Sequence, residues 1–208
     1  MAELKFDLHV HTTISPDAHT KREDLPVIIK EKGLDGVAIT EHNRFYPANL
    51  GTLTLPGVEI SSREGHIIAL GIQEMIDPKQ TADDTIRQIR KQDGVVIIPH
   101  PYDPVSVCIK LARLREKPDA VETVNADALS FYISNWLARR DAKKFNLPEV
   151  GGSDSHIPQT IGDAYTVIEA NSASTKDVLN AIRAGRVRAE GHATSIQNKL
   201  RKLNYKFK

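Results

Sequence analysis

Short apolar segments that end in a histidine or an acidic residue recur along the chain, and this pattern limits the folds that it can adopt. The clearest segment, 95–98 (VVII), is apolar on both faces and is followed closely by His100. The segments 5–10 and 36–40 have a similar form and are followed by His11 and His42. Strand and helix patterns alternate about seven times. This predicts an α/β fold with a mostly parallel sheet, either doubly wound or closed into a barrel.

The remaining elements are predicted from apolar periodicity and capping signals. The strand patterns are at 5–10, 36–40, 57–60, 66–70, 95–98, 120–124, 149–152 and 164–169. The helical patterns are at 25–33, 81–94, 105–116, 128–145 and 174–185. Thr20 and Glu23 form a T-x-x-E pattern, which predicts a capping box before the first helix. Asp103 followed by Pro104 predicts an N-cap and first residue for the third helix.

The residues at or just beyond the ends of the strand patterns are predicted to meet at one rim, because the carboxyl ends of parallel strands gather there. These residues are His9, His11, His42, Glu59, His66, His100, Asp154 and His156. Imidazole and carboxylate together suit Zn, Mn or Fe, whereas Ca and Mg prefer oxygen ligands. An isolated H-x-H or a single histidine after a strand is weak evidence, since each is commonly an ordinary loop residue. Their repetition at strand ends predicts a metal site.

The spacing within this set suggests how ions are bound. His9 and His11 are two apart on a strand, so they point to the same side and can chelate one ion. Asp154 and His156 share that spacing and can serve either one ion or two neighbouring ions. A carboxylate such as Glu59 can bridge two ions and hold a hydroxide for in-line attack on phosphorus.

Composition excludes several other classes of protein. The 28 Lys and Arg against 27 Asp and Glu give a net charge of +1, so there is no general attraction to nucleic acid. The single cysteine, Cys108, excludes an internal disulfide framework and suits a reducing compartment. We find no apolar segment near the roughly 18 residues of a membrane span, and residues 1–10 lack an export signal. We therefore expect a cytoplasmic protein without a membrane partner.

Taken together, the motifs resemble those of the PHP (polymerase and histidinol phosphatase) superfamily. They are FDLHVHTTISPD, GLDGVAITEHN, LPGVEISSREGHIIALG, VIIPHPY, AVETVN and GGSDSH, followed by IGDAYTVIEA and AIRAGRV, in the family's order from residue 6 to about 190. The resemblance is closest to the small stand-alone phosphoesterases. It implies a single-domain, distorted (β/α)7 barrel, which we place at 1–194. Residues 195–208 form a basic amphipathic tail, and we expect its apolar side to dock while its basic side faces solvent.

The resemblance also implies a trinuclear centre with two or three divalent ions of Mn, Fe or Zn. The ligand groups that it implies are His9, His11, Glu59 and Asp154; Glu59, His66 and His100; and Asp17, His42 and His156. One residue departs from the family's pattern: Glu41 stands where the family usually has Asp. We expect its longer carboxylate to orient a ligating imidazole.

Residues next to the ligand positions are candidates for contacts to the substrate. Asn43, Arg44 and Tyr102 directly follow ligand positions, and Arg186 is a further cationic candidate. A guanidinium suits bidentate phosphate binding, although an Arg at a rim is commonly only solvated. The strand that ends in AVETVN is expected to bring two more polar residues, Glu122 and Asn125, to the same rim. His19 and His192 are expected to lie outside the site, and Cys108 is expected to pack within a helix.

The sequence therefore predicts a metal-dependent phosphoesterase. It would hydrolyse a phosphomonoester or phosphodiester of a small nucleotide or sugar phosphate, through a metal-bound hydroxide at a trinuclear site. Glu59 is the expected bridging residue, and His42 or His156 would protonate the leaving oxygen. The alternatives are a non-catalytic RNA-binding subunit resembling the PHP-like protein of ribonuclease P, and hydrolysis of an amide or lactone. The sequence does not indicate an oligomeric state.

Overall fold

A computed structural model describes residues 1–47 and 54–205, which contain nine strands and five α-helices. The strands are β1 (Ala2–Val10), β2 (Gly36–Ile39), β3 (Thr54–Ser61), β4 (His66–Leu70), β5 (Val95–Ile98), β6 (Ala120–Asn125), β7 (Glu149–Gly152), β8 (Ala164–Ala170) and β9 (Val187–Gly191). The helices are α1 (Leu25–Glu31), α2 (Ala82–Lys91), α3 (Phe131–Phe145), α4 (Thr175–Arg183) and α5 (Ile196–Tyr205).

The strands form one sheet in the order β7-β6-β5-β4-β3-β2-β1-β8-β9. The first and seventh strands also meet, because Val10 at the end of β1 pairs with Ser155 just beyond β7. The amide of His11 donates to the carbonyl of Ser155 at 2.9 Å. Gly151 of β7 exchanges two hydrogen bonds with the Thr166 hydroxyl of β8, both at 2.9 Å. The sheet thus closes into a distorted barrel, which confirms the predicted fold class.

The expectation of a mostly parallel sheet is wrong. Within the described residues, four of the eight neighbouring pairs are antiparallel: β1–β8, β3–β4, β4–β5 and β8–β9. The β3–β4 connection is a turn closed by Ser62 and Gly65, which is too short for the crossover that parallel strands need. This pairing places His66 opposite Ser61. His66 therefore begins its strand at the rim where β3 ends.

Apolar side chains pack both inside the barrel and beneath its helices. All of β5 is buried, as its apolar pattern predicts. Ile86 and Ile89 of α2 belong to the same buried cluster as Val96 and Ile98 of β5. Burying a side chain of this size contributes about 1.5–3 kcal/mol, so this packing holds the strand ends in place.

Capping explains where some helices begin and corrects one prediction. The Thr81 hydroxyl accepts the amide of Asp84 at 3.1 Å and caps α2, as expected. The capping box at Thr20 and Glu23 is not formed. A 3-10 turn at Arg22–Asp24 precedes α1, and the buried Thr20 hydroxyl has no hydrogen-bond partner among the described residues.

The helix predicted over 105–116 is also wrong, since its only helical turn in the described chain is a 3-10 turn at Leu111–Arg113. The Asp103 carboxylate bonds the Ser106 hydroxyl at 2.6 Å and the amide of Leu129 at 3.1 Å. This side chain therefore ties the loop to the segment before α3. Cys108 lies in the loop and donates to the carbonyl of His100 at 2.9 Å.

The C-terminal helix docks differently from the prediction. None of its side chains is buried, and Leu200 and Leu203 on its apolar side are 55% and 51% exposed. Two basic residues make the contacts with the barrel instead: Lys199 and Lys202 bind groups of Asp127. The tail residues Lys206, Phe207 and Lys208 lie outside the described residues. No helix in the described part of the chain is long and apolar enough to cross a membrane.

Candidate metal centre

The rim at the carboxyl end of β1 gathers the histidines and acids that the sequence singled out. β1 supplies His9 and is followed by His11, and both side chains are fully buried. Glu59 of β3, which is 1% exposed, lies beside them. The loops after β5 and β7 supply His100 and Asp154. Six of the eight histidines belong to this cluster of closely packed rings and carboxylates: His9, His11, His42, His66, His100 and His156.

Glu59 is at the centre of the cluster. Its Oε1 is 3.0 Å from His66 Nδ1 and 3.1 Å from His100 Nε2. Its Oε2 is 2.8 Å from His42 Nδ1. The two oxygens therefore face different histidines, which is the arrangement that a bridging carboxylate requires.

Asp154 and Glu59 flank the H-x-H pair. Asp154 Oδ1 is 3.5 Å from His9 Nε2 and 3.3 Å from His11 Nε2. Glu59 Oε2 is 3.6 and 3.5 Å from the same two nitrogens. A tetrahedral site with bonds of about 2.0–2.1 Å has ligand atoms about 3.3–3.4 Å apart. The observed spacings are close to that value.

The third predicted ligand group, Asp17, His42 and His156, lies on the open side of the cluster. Asp17 Oδ2 is 3.7 Å from His42 Nε2 and 3.4 Å from His156 Nε2. The rings of His42 and His156 stack on that of His11, with centroids 4.3 and 4.4 Å away. The side chains of Asp17 and His42 are 38% and 27% exposed.

The described residues contain three groups whose ligand atoms all lie within 4.8 Å of one another. They are His9, His11 and Asp154; His9, Glu59 and His100; and His11, His42 and His156. The predicted first group, without Glu59, is one of these triads. The second triad differs from the predicted group of Glu59, His66 and His100 by containing His9 in place of His66. The third differs from the predicted group of Asp17, His42 and His156 by containing His11 in place of Asp17.

Unpartnered buried atoms provide a test of whether these residues suit a metal. His9 Nε2 and His11 Nε2 are buried without a hydrogen-bond partner in the described structure, although both face Glu59 Oε2 and Asp154 Oδ1. An unsatisfied buried polar atom costs about 1–3 kcal/mol. Divalent ions would satisfy such atoms, and nitrogen mixed with carboxylate oxygen is the donor set of Zn, Mn or Fe. The residues therefore fit the divalent metals that the resemblance implies.

Electrostatics in the cluster keep its acids charged. Burial raises the pKa of Glu59, but the charges of His9 and its other histidine contacts outweigh this and lower it well below its usual range. Burial lowers the pKa of His9, but the carboxylates of Asp154, Glu122 and Glu59 raise it well above its usual range. Burial lowers the pKa of His11 to about 3, and the nearby His156 adds to this effect. His11 is thus neutral, as a metal ligand has to be, whereas a metal would have to displace a proton from His9.

Glu122 and Asn125 at the end of β6 support the cluster from behind, as their position at the strand end suggested. Glu122 Oε1 is 3.1 Å from His9 Nδ1, which fixes the ring so that Nε2 faces Glu59 and Asp154. Glu122 Oε2 accepts the amide of His100 and the side-chain amide of Asn125, both at 2.9 Å.

Glu41 acts on the loop after β1. Its carboxylate accepts the amide of Thr12 at 3.1 Å, and both the amide and the hydroxyl of Ser15, at 3.1 and 2.5 Å. The Ser15 hydroxyl is 3.5 Å from His11 Nδ1. Glu41 therefore acts on His11 through Ser15.

The backbone is strained at three positions around the cluster. Asn43, His100 and Asp154 have φ values of 50°, 29° and 54°, a region that residues other than glycine rarely adopt. Such conformations cost about 1–3 kcal/mol each and persist where the surrounding structure holds them. They direct the chain around the rim immediately after strands.

The four predicted substrate contacts are held by other groups. Asn43 clamps the end of β3, because its side chain bonds the amide and hydroxyl of Ser61 at 2.8 and 2.9 Å. The exposed Arg44 donates to the carbonyl of Ile14 at 2.9 Å. The Tyr102 hydroxyl donates to Asp141. Arg186 requires a correction, as it bonds Glu169, which pairs with Glu3 near the amino end of β1.

The remaining histidines lie outside the cluster, as expected. His19 is half-buried, and its ring stacks on that of Tyr205 with centroids 4.6 Å apart. His192 is exposed.

Sequence reasoning missed three charged residues near the site. Asp7 is fully buried beneath the rim and accepts the amides of His9, Ser153 and Gly162 at 3.2, 2.9 and 2.9 Å. Burial raises its pKa to about 6. Asp127 and Lys202 form an ion pair of 2.7 Å beside His156. In the sequence, Asp7 is only one of the polar residues within the strand pattern 5–10. Nothing in the sequence indicated that Lys202 approaches the rim.

Comparison with known proteins agrees with this geometry. The PHP domain family matches residues 7–134, and the PHP-associated family matches residues 133–187. Protein MJ1587 of Methanocaldococcus jannaschii is 32% identical over 141 residues, which are 59% of this chain and 82% of that protein. A probable phosphatase of Shewanella sp. (strain MR-4) is 28% identical over 224 residues, covering 86% of this chain and 88% of the relative.

A solved structure supports the fold. A two-domain protein from Bacteroides vulgatus that contains a predicted PHP-like metal-dependent phosphoesterase aligns with a TM-score of 0.67 at 21% identity. The alignment covers 98% of this chain and 70% of that protein. The strand-end cluster therefore lies on a barrel of the same type.

Proposed function

The chain belongs to the PHP family, and from that membership we propose that it is a metal-dependent phosphoesterase. We propose a phosphomonoester or phosphodiester of a small nucleotide or sugar phosphate as the substrate, hydrolysed at a trinuclear site. The probable phosphatases of Shewanella among its relatives support this class of reaction. The net charge of +1 favours a small substrate over a long nucleic acid.

The observation that carries the proposal is the position of Glu59. It is a fully enclosed carboxylate whose two oxygens face different histidines, beside unpartnered nitrogens of His9 and His11. Bound divalent ions would supply Lewis-acid polarisation of the phosphoryl group and an activated water. Glu59 and Asp154 would hold these ions with the imidazoles, and Glu122 would keep His9 in the required orientation.

The open side of the cluster suggests where the ester enters. Asp17 and His42 are the more exposed members, whereas Glu59 is buried behind them. The leaving oxygen would therefore lie near His42 and His156, and either imidazole could hold the proton that the leaving group takes. We propose Glu59, His42 and His156 as the catalytic residues on this basis.

A phosphate-release screen with metal analysis tests the proposal. Purified protein should contain Mn, Fe or Zn at more than one equivalent. With added Mn(II), it should release phosphate from one class among nucleotides, dinucleotides and sugar phosphates. EDTA should abolish this activity and Mn(II) should restore it.

Two outcomes would replace the proposal. A protein that binds no metal, hydrolyses no ester and binds RNA tightly would be the non-catalytic RNA-binding subunit. A metal-loaded protein that hydrolyses lactones or amides but no phosphoester would be a different hydrolase. We place the activity in the cytoplasm, which suits the free thiol of Cys108.

A further inference from the structure

Helix α5 is held on the rim by polar and aromatic contacts. Lys199 Nζ donates to the carbonyls of Asp127 and Ala128, both at 3.1 Å. At the other end of the helix, the ring of Tyr205 stacks on His19. The helix therefore extends along the rim from the loop after β6 to the loop after β1.

Lys202 lies between these two contacts, and its side chain reaches the cluster of histidines and carboxylates. Its Nζ is 2.7 Å from Asp127 Oδ2 and 3.2 Å from His156 Nδ1. The side chain is 22% exposed, so a ligand in solvent can reach it. Over residues 1–47 and 54–205, we find no other Lys or Arg nitrogen with a hydrogen bond or ion pair to a side chain of the cluster.

This position is on the side where the substrate would approach. Asp17 and His42 are the most exposed members of the cluster, and His156 contacts Asp17 through Nε2 at 3.4 Å. Lys202 lies at the other nitrogen of the same imidazole. A phosphoryl group held at this end would carry negative charge within reach of the ammonium. A positioned cation there stabilises the charge of the bound phosphoryl group and of the transition state.

The two arginines predicted to bind phosphate make their contacts elsewhere. Arg44 is bonded to the carbonyl of Ile14, and Arg186 lies at the other end of the barrel. We propose that Lys202 binds a phosphoryl oxygen of the substrate, so that helix α5 is part of the active site. This inference rests on the phosphoesterase function proposed above.

Three variants test the proposal: Lys202→Met, Lys202→Arg and the control Arg201→Met. Arg201 is exposed on the same helix, and its guanidinium donates to Asn198 of that helix. For each protein we would measure kcat and KM for the best phosphoester, inhibition by inorganic phosphate, and metal content. Calorimetric binding of inorganic phosphate gives a second readout that does not need turnover.

Lys202→Met should weaken phosphate binding and lower kcat/KM by about 10- to 100-fold, the range for one charged hydrogen bond. Its metal content should equal that of the wild type. Lys202→Arg should recover part of the loss because it keeps the charge. Arg201→Met should stay within about 2-fold of the wild type, since the expected effect is local.

Three results would overturn the proposal. The first is unchanged phosphate binding and kcat/KM in Lys202→Met. The second is an equal loss in Arg201→Met, which would indicate a general effect of helix charge. The third is loss of metal from Lys202→Met, which would show that Lys202 acts through His156. If wild-type protein binds phosphate in a Lys202-dependent way but hydrolyses no phosphoester, only the proposed function fails.

Discussion

Replacing Glu59 with Gln should remove most of the activity while the barrel stays folded. Glutamine keeps the shape of the side chain, but it carries no charge and turns one oxygen into an NH2 group that cannot bind a metal. Each Glu59 oxygen makes at least one charged contact, to His66 or His100 on one side and to His42 on the other. At about 1.5–3 kcal/mol for each, the loss is about 3–6 kcal/mol. This corresponds to a fall of about 150- to 25,000-fold in kcat/KM.

Metal binding and turnover should be measured on the same preparations. Elemental analysis after gel filtration should show fewer metal equivalents in Glu59→Gln than in the wild type. Added Mn(II) should raise the melting temperature of the wild type, because a ligand at 100 times its Kd stabilises by about 2.7 kcal/mol. The same addition should have a much smaller effect on Glu59→Gln. Circular dichroism should show the same helix and strand content in both proteins.

Glu169→Gln is the matched control, since Glu169 is exposed on β8 and undergoes the same chemical change. It should have the same turnover, metal content and Mn(II)-dependent rise in melting temperature as the wild type. If Glu59→Gln retains full metal content and full activity, the bridging role of Glu59 is refuted. If it unfolds, the loss of activity says nothing of metal binding, and the Mn(II) titration of the folded fraction decides the question.

Four further predictions concern the surroundings of the cluster. Glu122→Gln should lower Mn(II) affinity in calorimetry by about 10- to 100-fold, because the carboxylate orients His9; unchanged affinity would contradict this. Gly152→Ala should lower metal content and reduce the free energy of unfolding in urea by about 1–3 kcal/mol. A Cβ at position 152 would lie 2.5 Å from His9 Cβ and 2.6 Å from Glu122 Oε1. If metal content and the free energy of unfolding stay at the wild-type values, both neighbours can move away. In EDTA, the free energy of unfolding should fall from pH 7 to 9. The raised pKa values of His9 and His100 add stability that is complete below the ordinary histidine pKa and is lost as the pH rises through the folded values. The slope is at most about 1.4 kcal/mol per pH unit for each proton, and a rise in stability over this range would exclude the effect. Deleting 195–208 should lower the urea midpoint only slightly, because α5 makes polar contacts with the rim but buries no side chain, while kcat/KM falls; an insoluble product would show that the helix is needed for folding.

The histidine cluster could be predicted because its signal is positional. His11 and His42 follow apolar strands, and His100 follows the fully buried β5, so a barrel brings them to one rim. The period of two along a strand also fixed the shared direction of His9 and His11. These inferences need only local patterns and the rule that strand ends converge.

Strand direction could not be read in the same way, because an apolar run is compatible with parallel and antiparallel neighbours. The antiparallel β3–β4 pair depends on the turn at Ser62 and Gly65. The prediction of a helix over 105–116 was wrong for a related reason. Asp103 and Pro104 have the composition of a helix start, but the Asp103 carboxylate is used by Leu129, 26 residues away.

Charged pairs between distant segments could not be predicted from the sequence either. Lys202 and Asp127 are separated by 75 residues, and either could have been a solvated surface charge. The tail was predicted to dock by its apolar side, yet its lysines bind the rim. Hydrophobic periodicity identified the helix but did not indicate which face meets the barrel.

The closure of β1 against the end of β7 has a consequence for the order of events in folding. The ligand positions begin at His9 and end at His156, and the two ends meet through the Val10–Ser155 pair. A nascent chain that has not yet reached residue 154 lacks both Asp154 and His156, so two of the three triads, His9–His11–Asp154 and His11–His42–His156, are incomplete. Binding of a metal at these two triads would therefore require that the barrel has closed. A metal bound there would stabilise the closed barrel after the strands have paired.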